Sequence, residues 1–251
     1  MKELSRPMAL ALDFDRTIAE TFEEAFGARN VVTAYEYAIE DVFGEEGVVM
    51  YRSQGGLRNR APMEIVMELG VPKDRLIEMT NRMVERKLAY LLPAIGSKME
   101  SGELWPPLTK GFAEFWSATD ELRAHGRLLI AVVSNGHDAF INKAFDVHKL
   151  SRPDALVTDD DVRGLSDVEP SRKSKPDPLI LEIAAEKLGI DKFDAYIGDN
   201  MVSDGGMARR AGIAFGHFDN HGDKDFEHLH GGFRFRDWNV LLSRLSELST
   251  A

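Results

Sequence analysis

The chain has 251 residues, enough to bury a sizeable core, and its 43% apolar and 29% charged residues are typical of a globular protein. A formal net charge of −11 disfavours a general binder of nucleic acid or anionic membranes. The absence of cysteine excludes disulfides and thiolate metal ligands, and no apolar run has the length of a membrane span. We therefore expect a cytoplasmic protein whose metal ligands are oxygen or imidazole groups.

Short apolar runs alternate with helical patterns along much of the chain. The runs predict buried parallel strands at 8–12, 128–133, 155–158, 195–197 and 213–218. Helical spacing predicts helices at 109–125, 177–188, 203–211 and 237–248, the second of them capped by Gly189. This alternation favours an α/β fold with a doubly wound parallel sheet.

The alternation is interrupted directly after the first strand. Residues 18–104 contain helical patterns at 20–43, 62–69 and 73–92 and no convincing strand, and Trp105-Pro106-Pro107 ends the segment. We interpret 18–104 as an inserted all-helical cap domain, and 1–17 together with 105–251 as the core domain. The His- and Gly-rich segment 219–232 is predicted to be a surface loop.

Polar side chains follow the strands of the predicted sheet and precede one of its helices. In an open parallel sheet, ligands bind outside the carboxyl ends of the strands, so these side chains are expected to meet in one crevice. Carboxylates, a hydroxyl and a lysine together indicate a site for Mg²⁺ and a phosphate group. The candidates are Asp13, Asp15, Thr17, Ser134, Asn135, Lys175, Asp199 and Asp204.

The paired carboxylates suit phosphoryl transfer. The two-residue period of a strand puts Asp13 and Asp15 on one side of the chain, so one can attack phosphorus while the other handles the leaving-group proton. A divalent cation offsets their mutual repulsion. Asp13 and Asp199 suffice as carboxylate ligands for Mg²⁺, and Asp204 would join them or orient the bound waters. Asp204 at the start of a helix is equally typical of a helix cap.

Four motifs in order carry a family resemblance. They are Asp13-Phe-Asp-Arg-Thr17, Ser134-Asn135, Lys175-Pro176 and Gly198-Asp199-Asn-Met-Val-Ser-Asp204. The set resembles the haloacid dehalogenase-like hydrolase superfamily. The resemblance implies that Asp13 forms an aspartyl-phosphate, that Asp15 is the general acid and base, and that the Asp15 carbonyl joins the magnesium ligands. Ser134 and Lys175 would hold the phosphoryl oxygens.

The spacing of the motifs indicates which members of the superfamily the chain resembles. Asp15 and Ser134 are 119 residues apart, whereas Ser134 and Lys175 are 41 apart. A cap domain therefore has room between the first and second motifs, the first insertion point of this superfamily, but not between the second and third. A helical cap at that place is similar to the phosphoglycolate phosphatase-like and β-phosphoglucomutase-like members. One departure is Arg16, because many relatives have glycine there, which suits the turn after the strand.

The predicted function is Mg²⁺-dependent hydrolysis of a small phosphorylated metabolite. A phosphomutase and a phosphonatase stay open, since the core motifs do not separate them. A phosphonatase requires a lysine from the cap, for which Lys73, Lys87 and Lys98 are candidates. A phosphate-ester-binding protein without turnover is a further alternative. The acidic charge and large cap argue against phosphorylated nucleic acids and proteins as substrates.

Two further features have weaker interpretations, and the oligomeric state is left open. Arg58, in a glycine-containing loop of the cap, is a candidate for reading a remote anionic group of the substrate, with a plain surface loop as the equal alternative. The histidines at 217, 221, 228 and 230, with Asp219 and Asp223, fit no recognised metal-binding spacing and are interpreted as part of a solvated loop.

Overall fold

The computed structural model describes residues 6–23, 30–56, 60–100, 102–220, 222 and 225–250, with the backbone alone for 96–100 and 245–250. Its centre is a seven-stranded sheet in the order β3-β2-β1-β4-β5-β7-β6. The strands are β1 Met8–Leu12, β2 Leu128–Val133, β3 Ala155–Val157, β4 Ala195–Gly198, β5 Ala214–Phe218, β6 Phe226–Leu229 and β7 Gly232–Phe235.

Helices occupy the connections between these strands. Three of them lie within residues 18–104, between β1 and β2: α1 Val31–Ser53, α2 Pro62–Glu68 and α3 Leu76–Glu100. The others are α4 Phe112–Ala124, α5 Asp138–Val147, α6 Asp159–Arg163, α7 Leu179–Leu188, α8 Asp204–Ala211 and α9 Trp238–Thr250. Short 3-10 turns occupy Lys73–Arg75 and Pro170–Arg172.

The sheet is covered on both faces. β1 is paired in parallel with β2 on one side and β4 on the other. Its alternate residues enter two different cores: Leu10 and Leu12 pack with the aromatic residues of α4 and α5, whereas Ala9 and Ala11 pack with α7 and α8. This alternation follows from the two-residue side-chain period of a strand. The predicted doubly wound α/β fold is confirmed.

The predicted core strands and helices lie within three residues of their observed bounds, although α5 and α6 were not predicted. In segment 18–104, α3 continues to Glu100 rather than ending near residue 92, and the first predicted helix is wrong. Helix α1 begins at Val31, because Asn30 and Thr33 cap it reciprocally, and it continues to Ser53 rather than ending near residue 43. A kink at Gly44, with φ 73°, divides it. Left-handed backbone is accessible to glycine at little steric cost, so the chain changes direction there and then resumes its helix.

The predicted surface loop at 219–232 is also corrected. β6 and β7 pair antiparallel, and β7 lies parallel to β5. Phe226 and Phe233 stack across the hairpin with ring centroids 5.9 Å apart. A Cβ on Gly232 would overlap the backbone of Phe215, so this glycine permits the close approach of β7 to β5. The strands were missed because each has only four residues, too few to show a clear alternation.

Helices α1 to α3, in the predicted cap segment 18–104, pack on one another, and α3 also contacts α5 of the core. The two chain crossings into this segment lie side by side, since Ala19 forms bridges with both Asp15 and Leu108. The domain boundaries themselves stay a prediction. Among the described residues, no helix combines the length and the apolar character needed to cross a membrane.

Candidate active site

A cavity of about 100 Å³ opens at the carboxyl end of the central strands. Because β1 lies between β2 and β4, the residues that follow these three strands are brought to one place. Predicted site residues in its wall are Asp13, Asp15, Asn135, Lys175, Asp199 and Asp204. Thr17 and Ser134 are fully buried.

Lys175 is the electrostatic centre of the site. Its Nζ donates to Asp13 Oδ1, to Asp204 Oδ1 at 2.9 Å and to the Tyr196 hydroxyl at 2.7 Å. Tyr196 in turn donates to the Val133 carbonyl at 3.0 Å. The lysine and both carboxylates are almost completely buried, with side-chain exposures of 4%, 7% and 2%. Their mutual attraction therefore acts with little screening by solvent.

Burial and neighbouring charges compete over the protonation of these groups. Burial raises the pKa of Asp13, and Lys175 opposes that rise. Burial disfavours the charge on Lys175, but Asp13 and Asp204 outweigh it and raise the pKa of the lysine. At Asp199, burial and then Asp204 raise the pKa to about 6. A cation bound among these carboxylates would favour their ionised forms.

The two carboxylates of the first motif have different partners. The Thr17 hydroxyl donates to Asp13 Oδ2 at 3.3 Å, and the backbone N–H of Asp13 donates to Ile197 O at 2.8 Å. Asp15 instead accepts a hydrogen bond from the Thr21 hydroxyl at 2.5 Å. Asp13 is thus fixed against β4, whereas Asp15 is positioned by the segment that leads into the predicted cap.

Ser134 and Asn135 connect the end of β2 to the loop around Lys175. Ser134 Oγ accepts from the Gly136 N–H at 2.9 Å, which is the local turn expected of a hydroxyl in this position. Asn135 Oδ1 lies 3.4 Å from the backbone nitrogen of Lys175. Asn135 therefore ties the predicted phosphate-binding segment to the lysine. Lys173, the alternative to Lys175, donates to the Arg163 carbonyl at 2.9 Å instead.

The position of Asp204 is compatible with both of its predicted roles, in the metal site and as a helix cap. It is the first residue of α8, and its Oδ2 accepts from the Asn200 N–H at 3.1 Å, while Oδ1 contacts Lys175. Gly198 leaves room for this carboxylate, since a Cβ there would overlap it.

Substituting Gly198→Ala is therefore expected to push Asp204 away from Lys175 and to lower the free energy of unfolding by about 1–3 kcal/mol. Urea denaturation measures this loss. The matched control is Gly164→Ala, because nothing lies within 4 Å of a Cβ there. Equal stability of the two variants would contradict the tight packing of Asp204 against β4.

The donor set fits a hard divalent cation. One oxygen each from Asp13, Asp199 and Asp204 can be chosen so that all lie within 4.8 Å of one another. Oxygen-only ligands of this kind are those that Mg²⁺ prefers. Arg16 approaches Asp199 Oδ2 at 3.4 Å and adopts φ 61°, the left-handed conformation for which glycine is the usual residue.

A second group of possible ligands, His137 with Asp159 and Asp160, lies nearby. Arg163 pairs with both carboxylates, so a positive charge already occupies that position. Burial, followed by the charge of Lys87, lowers the pKa of His137 to about 4, and the ring is neutral at pH 7. The two carboxylates of this cluster are thus accounted for by their ion pairs with Arg163.

The remaining predicted residues have varied positions. Arg58, His221 and Asp223 lie outside the described residues. His217, on β5, has Nε2 at 3.0 Å from the Asp199 carbonyl. His228 is on β6 and His230 follows it, so the solvated-loop interpretation is wrong for that hairpin.

Three residues of the site region were missed or left undecided by sequence reasoning. Tyr196 was taken for a strand residue, and its hydroxyl contact with Lys175 depends on the pairing of strands. Tyr35 and Lys87 come from α1 and α3 and also line the cavity. Lys87 was one of three candidate lysines for a phosphonatase. The position of α3 in the fold shows that Lys87, and not Lys73, lines the cavity.

A buried lysine between two aspartates, with a third aspartate close enough to share a cation with them, thus lies at the carboxyl end of a doubly wound sheet. A family model described as HAD-hydrolase-like matches residues 173–215, the part that contains Lys175, Asp199 and Asp204. No curated protein sequence matches the chain significantly.

Solved structures share the fold over nearly the whole chain. A hydrolase from Pseudomonas syringae has a TM-score of 0.60 at 18% identity, covering 96% of this chain and 98% of its own. CbbY from Rhodobacter sphaeroides in complex with phosphate has 0.56 at 18%, covering 94% and 96%. YfnB from Bacillus subtilis bound to magnesium has 0.51 at 15%, covering 96% and 99%. The resemblance to haloacid dehalogenase-like hydrolases is confirmed.

Proposed function

We propose that this chain is a Mg²⁺-dependent phosphatase that hydrolyses a small phosphomonoester through an aspartyl-phosphate on Asp13. The observation that carries the proposal is the buried Asp13 carboxylate, held by Lys175 in a cavity that Asp15 also lines. A nucleophile, a separate proton carrier and a fixed cation are the parts that phosphoryl transfer requires. The phosphate-bound CbbY and magnesium-bound YfnB structures have the same fold.

Each residue has one task in the proposed reaction. An Asp13 oxygen attacks phosphorus, the bond to the leaving oxygen breaks, and Asp15 gives that oxygen its proton. Asp15, now ionised, takes a proton from water, which attacks phosphorus and releases Asp13. Lys175 offsets the negative charge on Asp13 and the phosphoryl oxygens in both steps. Thr21, bonded to Asp15, orients the proton carrier.

Asp13, Asp199 and Asp204 would hold the Mg²⁺ ion, with the Asp15 carbonyl as a further ligand. When bound, the ion supplies positive charge that reduces the repulsion between the phosphate and the Asp13 carboxylate. Asn135 and Ser134 would support the phosphate-binding segment around Lys175. We further propose that residues 18–104 act as a cap that restricts access to small metabolites, and that the protein is cytoplasmic.

Phosphate release from p-nitrophenyl phosphate and a panel of metabolite phosphates tests the function. Release is expected with Mg²⁺ and is expected to stop with EDTA and return when Mg²⁺ is restored. Conversion of a sugar phosphate to its isomer without free phosphate would identify a mutase. Tight binding of phosphate esters without turnover under any divalent metal would identify a binding protein.

Mg²⁺ binding is expected to weaken below about pH 6. Burial and Asp204 raise the pKa of Asp199 to about 6, so below that pH the carboxyl is protonated and its proton must leave before the ion binds. The apparent Mg²⁺ dissociation constant should therefore rise by up to about tenfold per pH unit from pH 6 to 5 and be flat above 7. The Mg²⁺-induced rise in melting temperature measures it; a constant affinity from pH 5 to 8 would contradict this assignment.

Phosphonate cleavage is the second candidate, and Lys87 favours it because this lysine of the predicted cap lines the cavity. An amine there could form an imine with an aldehyde-bearing phosphonate. Borohydride inactivation that requires such a substrate, together with loss of that activity in Lys87→Arg, would select this function over ester hydrolysis.

A further inference from the structure

Lys87 is a buried cation on helix α3. Its side chain is in the wall of the cavity that Asp13 and Asp15 line, yet the residue is only 4% exposed. Its Nζ lies 4.1 Å from the centroid of the Tyr35 ring, a cation–π distance that holds the ammonium group in place. The amine is thus positioned before any substrate arrives.

The other cations that line the cavity each have an anion. Lys175 pairs with Asp13 and Asp204, Arg16 pairs with Asp199, and Arg60 pairs with Glu68.

Lys87 differs from them, because within the described part of the chain its Nζ has no ion pair and no hydrogen bond. Burial lowers the pKa of Lys87 to about 8, because the ammonium group loses its solvation and has no paired anion to compensate. Such an arrangement is typical of a functional site.

Two carboxylates near Lys87 form ion pairs with a different residue. Asp159 and Asp160 pair with Arg163, which also donates to Asn81 of α3 at 2.8 Å. Their negative charges oppose the lowering of the Lys87 pKa by burial, but they form no hydrogen bond with its Nζ.

The position of Lys87 assigns it to the leaving group rather than to the phosphoryl group. Among the carboxylates, Asp15 has the largest electrostatic influence on its charge, and Asp15 is the proposed proton donor to the leaving oxygen. Lys175 already pairs with Asp13. A small leaving group that reaches Lys87 would meet one unpaired positive charge beside apolar and aromatic walls.

We propose that Lys87 is a specificity-determining residue that binds a carboxylate on the leaving group of a small phosphomonoester. A single unpaired cation is matched by a singly charged carboxylate, whereas a second phosphate would bring a surplus negative charge into a buried site. This inference rests on the proposed phosphatase function. It assigns Tyr35 as the residue that positions the lysine.

Three two-carbon substrates test the assignment: phosphoglycolate, 2-hydroxyethyl phosphate and 1,2-ethanediol bisphosphate. They differ only in carrying a carboxylate, a neutral hydroxyl or a second phosphate. In Lys87→Met, kcat/KM for phosphoglycolate relative to the hydroxyl analogue is expected to fall by roughly 10- to 100-fold. Lys87→Arg is expected to recover much of this ratio. Lys73→Met, an exposed cap lysine, is the matched control and should leave the ratio unchanged.

Equal losses on all three substrates in Lys87→Met would overturn the proposal, as would a loss confined to the bisphosphate. Stability separates a recognition role from a structural one, since removing an unpaired buried charge should keep or raise the melting temperature. A lower melting temperature in Lys87→Met would assign the residue to packing. If the wild-type protein hydrolyses none of the esters, the proposed function fails. Calorimetric binding of phosphoglycolate to Asp13→Asn, with and without Lys87→Met, then still decides whether Lys87 reads the carboxylate.

Discussion

Replacing Asp13 by asparagine is expected to abolish phosphate release, with kcat falling by roughly 10⁴-fold or more. The amide keeps the shape of the side chain but lacks the anionic oxygen that attacks phosphorus, so no aspartyl-phosphate forms. Lys175 keeps its contacts with Asp204 at 2.9 Å and Tyr196 at 2.7 Å, and the fold should therefore be retained. Released phosphate in a single-turnover assay measures the loss, and circular dichroism verifies the fold.

A second aspartate provides the control for this substitution. Asp191 is exposed and precedes the amino end of β4, the end of the strand opposite the site, so Asp191→Asn should have wild-type activity. Mass spectrometry adds a readout that does not depend on turnover: after rapid acid quench, an added phosphoryl group should be found on the peptide that contains Asp13. Full activity in Asp13→Asn, or a phosphoryl group on another peptide, would overturn the covalent mechanism.

The core of this fold was predictable because its sequence obeys local rules. β1 and β2 have the predicted bounds, and α7 ends at Gly189 with φ 66°, as a left-handed cap requires. The start of α1 was missed because its boundary is set by a capping pair, Asn30 and Thr33, whereas the apolar pattern extends further back. The β6–β7 hairpin was missed because both of its strands have only four residues.

The site was predictable wherever a residue directly follows a strand. Asp13, Asp15 and Asp199 meet because β1 and β4 are neighbours, whereas the sequence predicted only that the residues after the strands share one crevice. Tyr196 and Lys87 could not be assigned in the same way. One depends on which side of β4 faces Lys175, and the other depends on the packing of α3 over the core, which is a long-range contact without a motif. Roles within the site stay predictions until the variants are measured.

Replacing Lys175 by methionine is expected to remove both activity and much of the stability. The lysine lies between Asp13 and Asp204, both nearly inaccessible to solvent, and methionine would leave two buried carboxylates without a counter-charge. Breaking a buried ion pair in this way costs about 3–5 kcal/mol. Denaturation in urea measures the loss. The exposed Lys73→Met variant is the control, since solvent already screens that charge.

The pH dependence of this loss identifies its cause. Burial raises the pKa of Asp13 and Lys175 opposes that rise, so without Lys175 the pKa of Asp13 in the folded state should lie well above its unfolded value of about 4. A raised acid pKa lowers stability as pH rises above the unfolded pKa, so the deficit of Lys175→Met should be largest at neutral pH and should shrink toward pH 4. Two changes should restore stability at pH 7: adding Mg²⁺, which supplies a counter-charge, and combining Lys175→Met with Asp13→Asn, which removes one carboxylate. A deficit that is the same at pH 4 and 7 and insensitive to Mg²⁺ would mean that Lys175 stabilises the fold by packing, and its assignment as the electrostatic centre would be wrong.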